Sequence, residues 1–132
     1  MRLSKDIYEA MLDHAKKGYP NEACGILAGR QSDEATAFYP MRNLDESPIS
    51  YFMDPKEQLR IFKQLRLDGI QMNGIVHSHV ASEAYPSQKD VRLAFYPETS
   101  YLIVSLTDAK KPVVRSFKIR DEVVVEEKVE IV

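Results

Sequence analysis

This 132-residue chain has a single cysteine, and long apolar runs and an excess of positive charge are missing from it. The lone Cys24 cannot close an intrachain disulfide, nor supply the two or more thiolates of a zinc ribbon or a cysteine-ligated deaminase site. Eighteen basic against twenty acidic residues leave a net charge of −2 and a pI near 5.9, so no basic field exists to attract a nucleic-acid backbone. The longest unbroken apolar runs, Leu93 to Tyr96 and Tyr101 to Val104, are far short of the ~20 residues a membrane span requires. No apolar stretch follows Met1-Arg2-Leu3-Ser4-Lys5-Asp6, which together with the single thiol points to a reducing, cytoplasmic setting. There is no repeat, linker or low-complexity tract, so residues 1–132 are expected to form one domain. With 44% apolar and 29% charged residues, the chain has the composition of an ordinary folded protein.

Apolar residues at 3, 7, 8, 11, 12 and 15 predict a first helix from Leu3 to Lys17, with Ser4 as N-cap and Gly18 just past its end. Ala23 to Gly29 reads as a strand of small apolar residues and Ala35 to Met41 as another. Arg42 to Met53 has no period and contains Pro48, so it reads as a surface loop long enough to bind something. Asp54-Pro55-Lys56-Glu57 carries helix-start signals, and the helix runs to about Asp68 before Gly69. Gly74 to His79 predicts a strand with both histidines at its end, and Ser87-Gln88-Lys89-Asp90 opens a short helix to about Tyr96. Tyr101 to Leu106 is a strand buried on both faces. Val113 to Ile119 and Val123 to Val132 form a closing hairpin, the second with Val123, Val125, Val129 and Ile131 on one face.

On a strand, residues i and i+2 share a face, so His77 and His79 can hold one ion between them. Such a pair also occurs among ordinary surface histidines. Asp90, eleven residues on, would complete a set of two imidazoles and a carboxylate that leaves a fourth position open, the pattern of a catalytic rather than a structural centre. Ser87 and Asp90 equally fit a capping box that merely finishes a helix, and an aspartate turned to a metal would not also close that box. Glu22, before the first apolar strand, is either a plain exposed carboxylate or a member of the site that only the fold can bring near.

Glu22 in Asn-Glu-Ala-Cys-Gly, His77-Ser-His79 and Ser87-x-x-Asp90, in that order and spacing, resemble the signature of the JAMM (MPN-plus) zinc metalloprotease family, in the compact single-domain form of bacteria and archaea. The resemblance covers the whole chain. It implies an α/β domain, a twisted mixed β-sheet flanked by helices with a cytidine-deaminase-like architecture. It further implies that His77, His79 and Asp90 bind one Zn²⁺ with a water in the fourth position, that Glu22 moves protons as general acid-base, and that Ser87 donates to the oxyanion. The reaction implied is hydrolysis of the amide bond after the C-terminal Gly-Gly of a ubiquitin-like protein, a small sulfur carrier or its conjugates. The carrier's tail would bind extended between the 42–53 and 80–86 loops. Val80 stands where the family usually has proline, which bears on the backbone leaving the site rather than on the ligands.

Two other readings compete. A cupin-like metal protein could use Glu83 as third ligand after His77 and His79, but it needs an all-β chain and a later histidine. A non-catalytic MPN scaffold has no reason to keep a three-ligand open site with Glu22 and Ser87. Cys24 reads as a buried core thiol, His14 as a partly exposed helix residue, and Tyr51-Phe52 as aromatics stapling the following helix to the core.

Overall fold

The alternation of apolar residues along four strands decides where everything else sits. A computed structural model describes residues 1–132, in the order β1 (Arg2–Leu3), α1 (Lys5–Gly18), β2 (Cys24–Gly29), β3 (Glu34–Ala35), β4 (Ala37–Met41), α2 (Pro55–Asp68), β5 (Gln71–His79), α3 (Gln88–Arg92), β6 (Ser100–Ser105), β7 (Val113–Arg120), β8 (Val123–Glu127) and β9 (Glu130–Ile131). Six strands make one sheet in the order β4-β2-β5-β6-β7-β8, and β3-β1-β9 make a small second sheet. β5 and β6 pair in parallel while the other neighbours in the large sheet are antiparallel, so the sheet is mixed, with helices against it, as expected.

Leu27, Val76, Leu102 and Val104 point to one face, where Ile7, Tyr8, Met11, Leu12 and Ala15 of α1 cover them. Cys24, Ile26, Ile75, Tyr101, Ile103 and Phe117 point to the other, against Ile61 and Phe62 of α2 and Val91 of α3. Each such side chain taken fully out of water contributes roughly 1.5–3 kcal/mol. The period of two that places Ile75 on the second face places His77 and His79 there too.

Local chemistry sets the helix ends. Ser4 accepts from the Ile7 N–H and Asp54 from the Lys56 N–H, Pro55 fills a first-turn position, and Gly69 ends α2 at a left-handed φ of 71°. Gly29 serves a different need: a Cβ there would lie 2.1 Å from the Glu34 carbonyl oxygen, so only glycine lets β2 pass that close to the turn of chain after it.

Three expectations are corrected. Leu3 belongs to β1 rather than to the first helix, fully buried because β1 is drawn between β3 and β9. The third helix stops at Arg92 instead of Tyr96, leaving Leu93 (50% exposed) and Phe95 (71%) in an irregular turn. The last segment is two short strands, β8 on the large sheet and β9 beside β1. Val123 and Val125 face solvent, while Val124, opposite Ile119, packs inward.

Candidate metal centre

β5 ends at His79, and its two histidines leave the sheet on the face shared with Ile75. Both are buried. The His77 and His79 Nε2 atoms are 3.1 Å apart, and Asp90 Oδ2 stands 3.2 Å from the first and 3.0 Å from the second. Two imidazole nitrogens and a carboxylate oxygen this close need a cation or a shared proton among them. Ligands of a tetrahedral ion with bonds of about 2.0–2.1 Å stand about 3.3 Å from one another, so the three donors are already near the spacing such an ion requires.

The His79 tautomer agrees with that use. His79 Nδ1 donates to the Glu83 carbonyl at 2.8 Å, which leaves the Nε2 lone pair directed at the cluster. His77 is held by stacking: the Tyr51 ring lies 4.6 Å away, 26° from parallel, and His77 Nδ1 is buried without a partner. Burial works against the charged form of His79, but the bonds to Asp90 and to the Glu83 carbonyl outweigh it and raise its pKa above the ordinary value. Burial likewise opposes ionisation of Asp90, yet hydrogen bonds from both histidines and from the Ser87 N–H hold its carboxyl well below the usual range.

Asp90 corrects one expectation. Ser87 is the N-cap of α3 and accepts from the Asp90 N–H at 3.0 Å, while the Ser87 N–H donates to Asp90 Oδ2 at 2.9 Å, a complete capping box. The same Oδ2 faces both histidines. A carboxylate oxygen has two lone-pair directions, so closing the box and joining the donor set are one geometry rather than rival ones. Ser87 Oγ only accepts in this arrangement, and its own proton is free.

Glu22 is brought to the cluster by strand pairing. Cys24 lies opposite His77 in the β2–β5 ladder. Ser78, between the two histidines and pointing to the other face, holds the segment in place: its Oγ accepts from the Ala23 N–H at 2.8 Å, and its N–H donates to the Ala23 carbonyl at 2.9 Å. Glu22 is buried, and its Oε1 has no hydrogen-bond partner. Burial pushes its pKa up to about 7, against the pull of His79 and with the push of Asp90. An orphaned buried carboxylate oxygen beside three converging donors fits a site that takes a metal and a water.

The 80–86 loop is tied down without a proline at position 80. Ser105 Oγ donates to the Ser82 carbonyl at 2.7 Å, the Glu83 carbonyl holds His79, and Ala84 is buried. Glu83 is exposed and gives the cluster no side-chain atom, which together with the helices removes the cupin-like reading. The 42–53 loop and the turn after α3 enclose a cavity of about 220 Å³ beside Asp90, lined by Tyr51, Phe52, Leu93, Phe95 and Tyr96 among others and by no residue of 80–86. Tyr51 and Phe52 divide: the first packs under the site against His77, the second is half exposed at the cavity. Cys24 is buried with its thiol pushed up to about 12, and His14 is partly buried with Nε2 on the Cys24 carbonyl.

Ser78, Tyr51 and Asn43, whose Nδ2 donates to the Glu22 carbonyl at 2.9 Å, carry parts of this geometry that the spacing of the sequence motif did not assign. A serine between two histidines on a buried strand is the one local signal among them. Asn43 and Tyr51 sit in an aperiodic stretch where only the folded loop reveals their contacts.

A mixed sheet that brings together two imidazoles from one strand end, a carboxylate from a helix N-terminus and a buried glutamate from just before the adjoining strand defines an α/β domain of the JAB/MPN class with a candidate metal site. The chain belongs to the family described as prokaryotic homologs of the JAB domain, whose model matches residues 4–120. It is 41% identical over 129 residues to a CysO-cysteine peptidase of Mycobacterium tuberculosis, covering 96% of this chain and 88% of that one. It is 34% identical over 111 residues to a desampylase of Haloferax volcanii, covering 80% of each. A solution structure of a protein from Desulfitobacterium hafniense, 47% identical, superposes with a TM-score of 0.89 over 98% of this chain and 91% of the other. No helix is long and apolar enough to cross a membrane.

Proposed function

We propose that residues 1–132 are a zinc-dependent peptidase that hydrolyses the amide bond after the C-terminal Gly-Gly of a ubiquitin-like sulfur carrier, releasing an amino acid or a protein attached there. One observation carries this: the donor atoms of His77, His79 and Asp90 converge within 4.8 Å of one another, next to a buried glutamate whose carboxylate is unpartnered. The relatives named for cleaving CysO-cysteine and for desampylation support the substrate class. The lone buried Cys24 suits a cytoplasmic enzyme.

His77, His79 and Asp90 would hold Zn²⁺, which supplies a Lewis acid that makes water acidic near neutral pH and polarises a carbonyl. Glu22, buried beside the donor cluster, takes the proton of the attacking water and passes it to the leaving amine; such a general base typically contributes on the order of 10² to 10⁴ in rate. Ser87 Oγ–H, unspent in the cap, donates to the carbonyl oxygen as charge develops on it. The carrier tail would lie extended between the 42–53 and 80–86 loops, past the cavity that the first of them shares with the turn after α3, and a glycine pair there would avoid side-chain clashes over the donor cluster.

The test is cleavage of a carrier ending in Gly-Gly-Cys, or in Gly-Gly joined to a lysine side chain, by the zinc-loaded protein. Turnover by the wild type, lost with chelator and with Glu22→Ala, and slowed sharply on an Ala-Ala tail, is the expected result. Stoichiometric zinc without turnover would point to a scaffold, and equal rates on both tails would rule out such clashes.

A further inference from the structure

The 42–53 loop is closed by one side chain. Asn43 Nδ2 donates to the carbonyls of Glu22 and Ser50, both at 2.9 Å, and Asn43 Oδ1 accepts the N–H groups of Asp45 and Phe52, both at 3.0 Å. A carboxamide offers two N–H donors and two lone pairs, so every one is used. Two of these bonds go to the residues on either side of Tyr51, whose ring covers His77. A third goes to Glu22, whose own N–H is held by the Ser47 carbonyl of the same loop at 2.8 Å. Glu22 Oε1 has no partner, so that oxygen is aimed by the backbone that carries it rather than by a bond of its own.

We propose that Asn43 is a positioning residue that clamps the proton-carrying Glu22 and the His77-covering Tyr51 into one rigid unit over the donor cluster. Its kinetic consequence rests on the peptidase reading, whereas the clamp itself is a property of the fold. A residue that only finishes the loop would stabilise the chain without coupling to Glu22. A positioning residue loses its effect once Glu22 can no longer move a proton.

Asn43→Asp keeps the size and the acceptors but sets an oxygen against the Glu22 and Ser50 carbonyls, and Asn43→Ala removes all four bonds. In the zinc-loaded protein Asn43→Asp is expected to lower kcat about 10- to 100-fold with KM and zinc stoichiometry unchanged, the cost of misplacing a reacting group by about 1 Å. In a Glu22→Gln background the same substitution should cost nothing further in single-turnover rates. Independently of activity, the His77 ring-proton resonances should move in Asn43→Asp toward their positions in a Tyr51→Leu reference, as the stacked ring's current is lost. Unchanged His77 resonances in both Asn43 variants would overturn the clamp. So would an equal loss of rate with and without Glu22, accompanied by a lower Tm and lost zinc. If the wild type proves inactive but the His77 resonances respond to Asn43, the peptidase reading falls and the clamp stands. Should Asn43→Ala fail to fold, Asn43→Asp decides.

Discussion

At the scale of single residues, Glu22 is a carboxylate kept from water with one oxygen unpaired, which costs stability when it ionises. Its pKa is raised from 4.5 to about 7 by burial, so in the metal-free chain the folded state holds a proton that the unfolded state has lost between those values. The resulting stability is complete below about pH 4.5 and is lost as pH rises through 7. Glu22→Gln should therefore leave the chelated protein's stability unchanged at pH 4 and raise it at pH 8, by up to about 3 kcal/mol, in urea unfolding at the two pH values. Equal differences at both would mean that the carboxylate is solvated. The two tasks of Asp90 separate by substitution as well. Asn keeps an oxygen for the Ser87 N–H but not the charge, so Asp90→Asn should weaken zinc binding by about 100-fold or more while α3 stays capped. Asp90→Ala should lose the metal and a further ~1 kcal/mol of stability. Competition with a chromophoric chelator and thermal unfolding read the two effects apart, and equal stability of the two variants would remove the capping role.

Among elements, the helix starts were the most legible features. Ser4, Asp54 and Ser87 each sit at a helix N-cap, because capping is a bond between residues two or three apart. Where helices and strands stop is decided by what they pack against. Leu93, Phe95 and Tyr96 continue an apolar run but line a cavity instead of a helix face, and the closing hairpin breaks where Val129 leaves the large sheet for the cluster under α1. β8 shows the limit of alternation: the pattern correctly puts Val123 and Val125 together, yet it cannot say which side of the sheet is wet. Val123→Thr should change stability by less than about 0.5 kcal/mol, while Val124→Thr, partly buried opposite Ile119, should cost more than about 1 kcal/mol in chemical denaturation. The reverse ranking would invert the assigned face.

On the scale of the whole molecule, the sheet is what assembles the site. Strand register sets Cys24 against His77, and the Ser78–Ala23 bonds beside it fix where the chain enters β2, so a glutamate 55 positions before His77 arrives at the cluster. The convergence of His77, His79 and Asp90 was legible in the sequence, because the two histidines share a strand face by local periodicity and Asp90 follows at the head of a short helix. The small number of cysteines and the balanced charge likewise fixed the chemistry available to the chain before any fold was known. The burial of Glu22, the stacking of Tyr51 on His77 and the closure of the 42–53 loop by Asn43 were decided only by tertiary structure. Each of them depends on contacts between segments that the linear order keeps apart, and no local propensity encodes which strand edges and loops come to lie side by side.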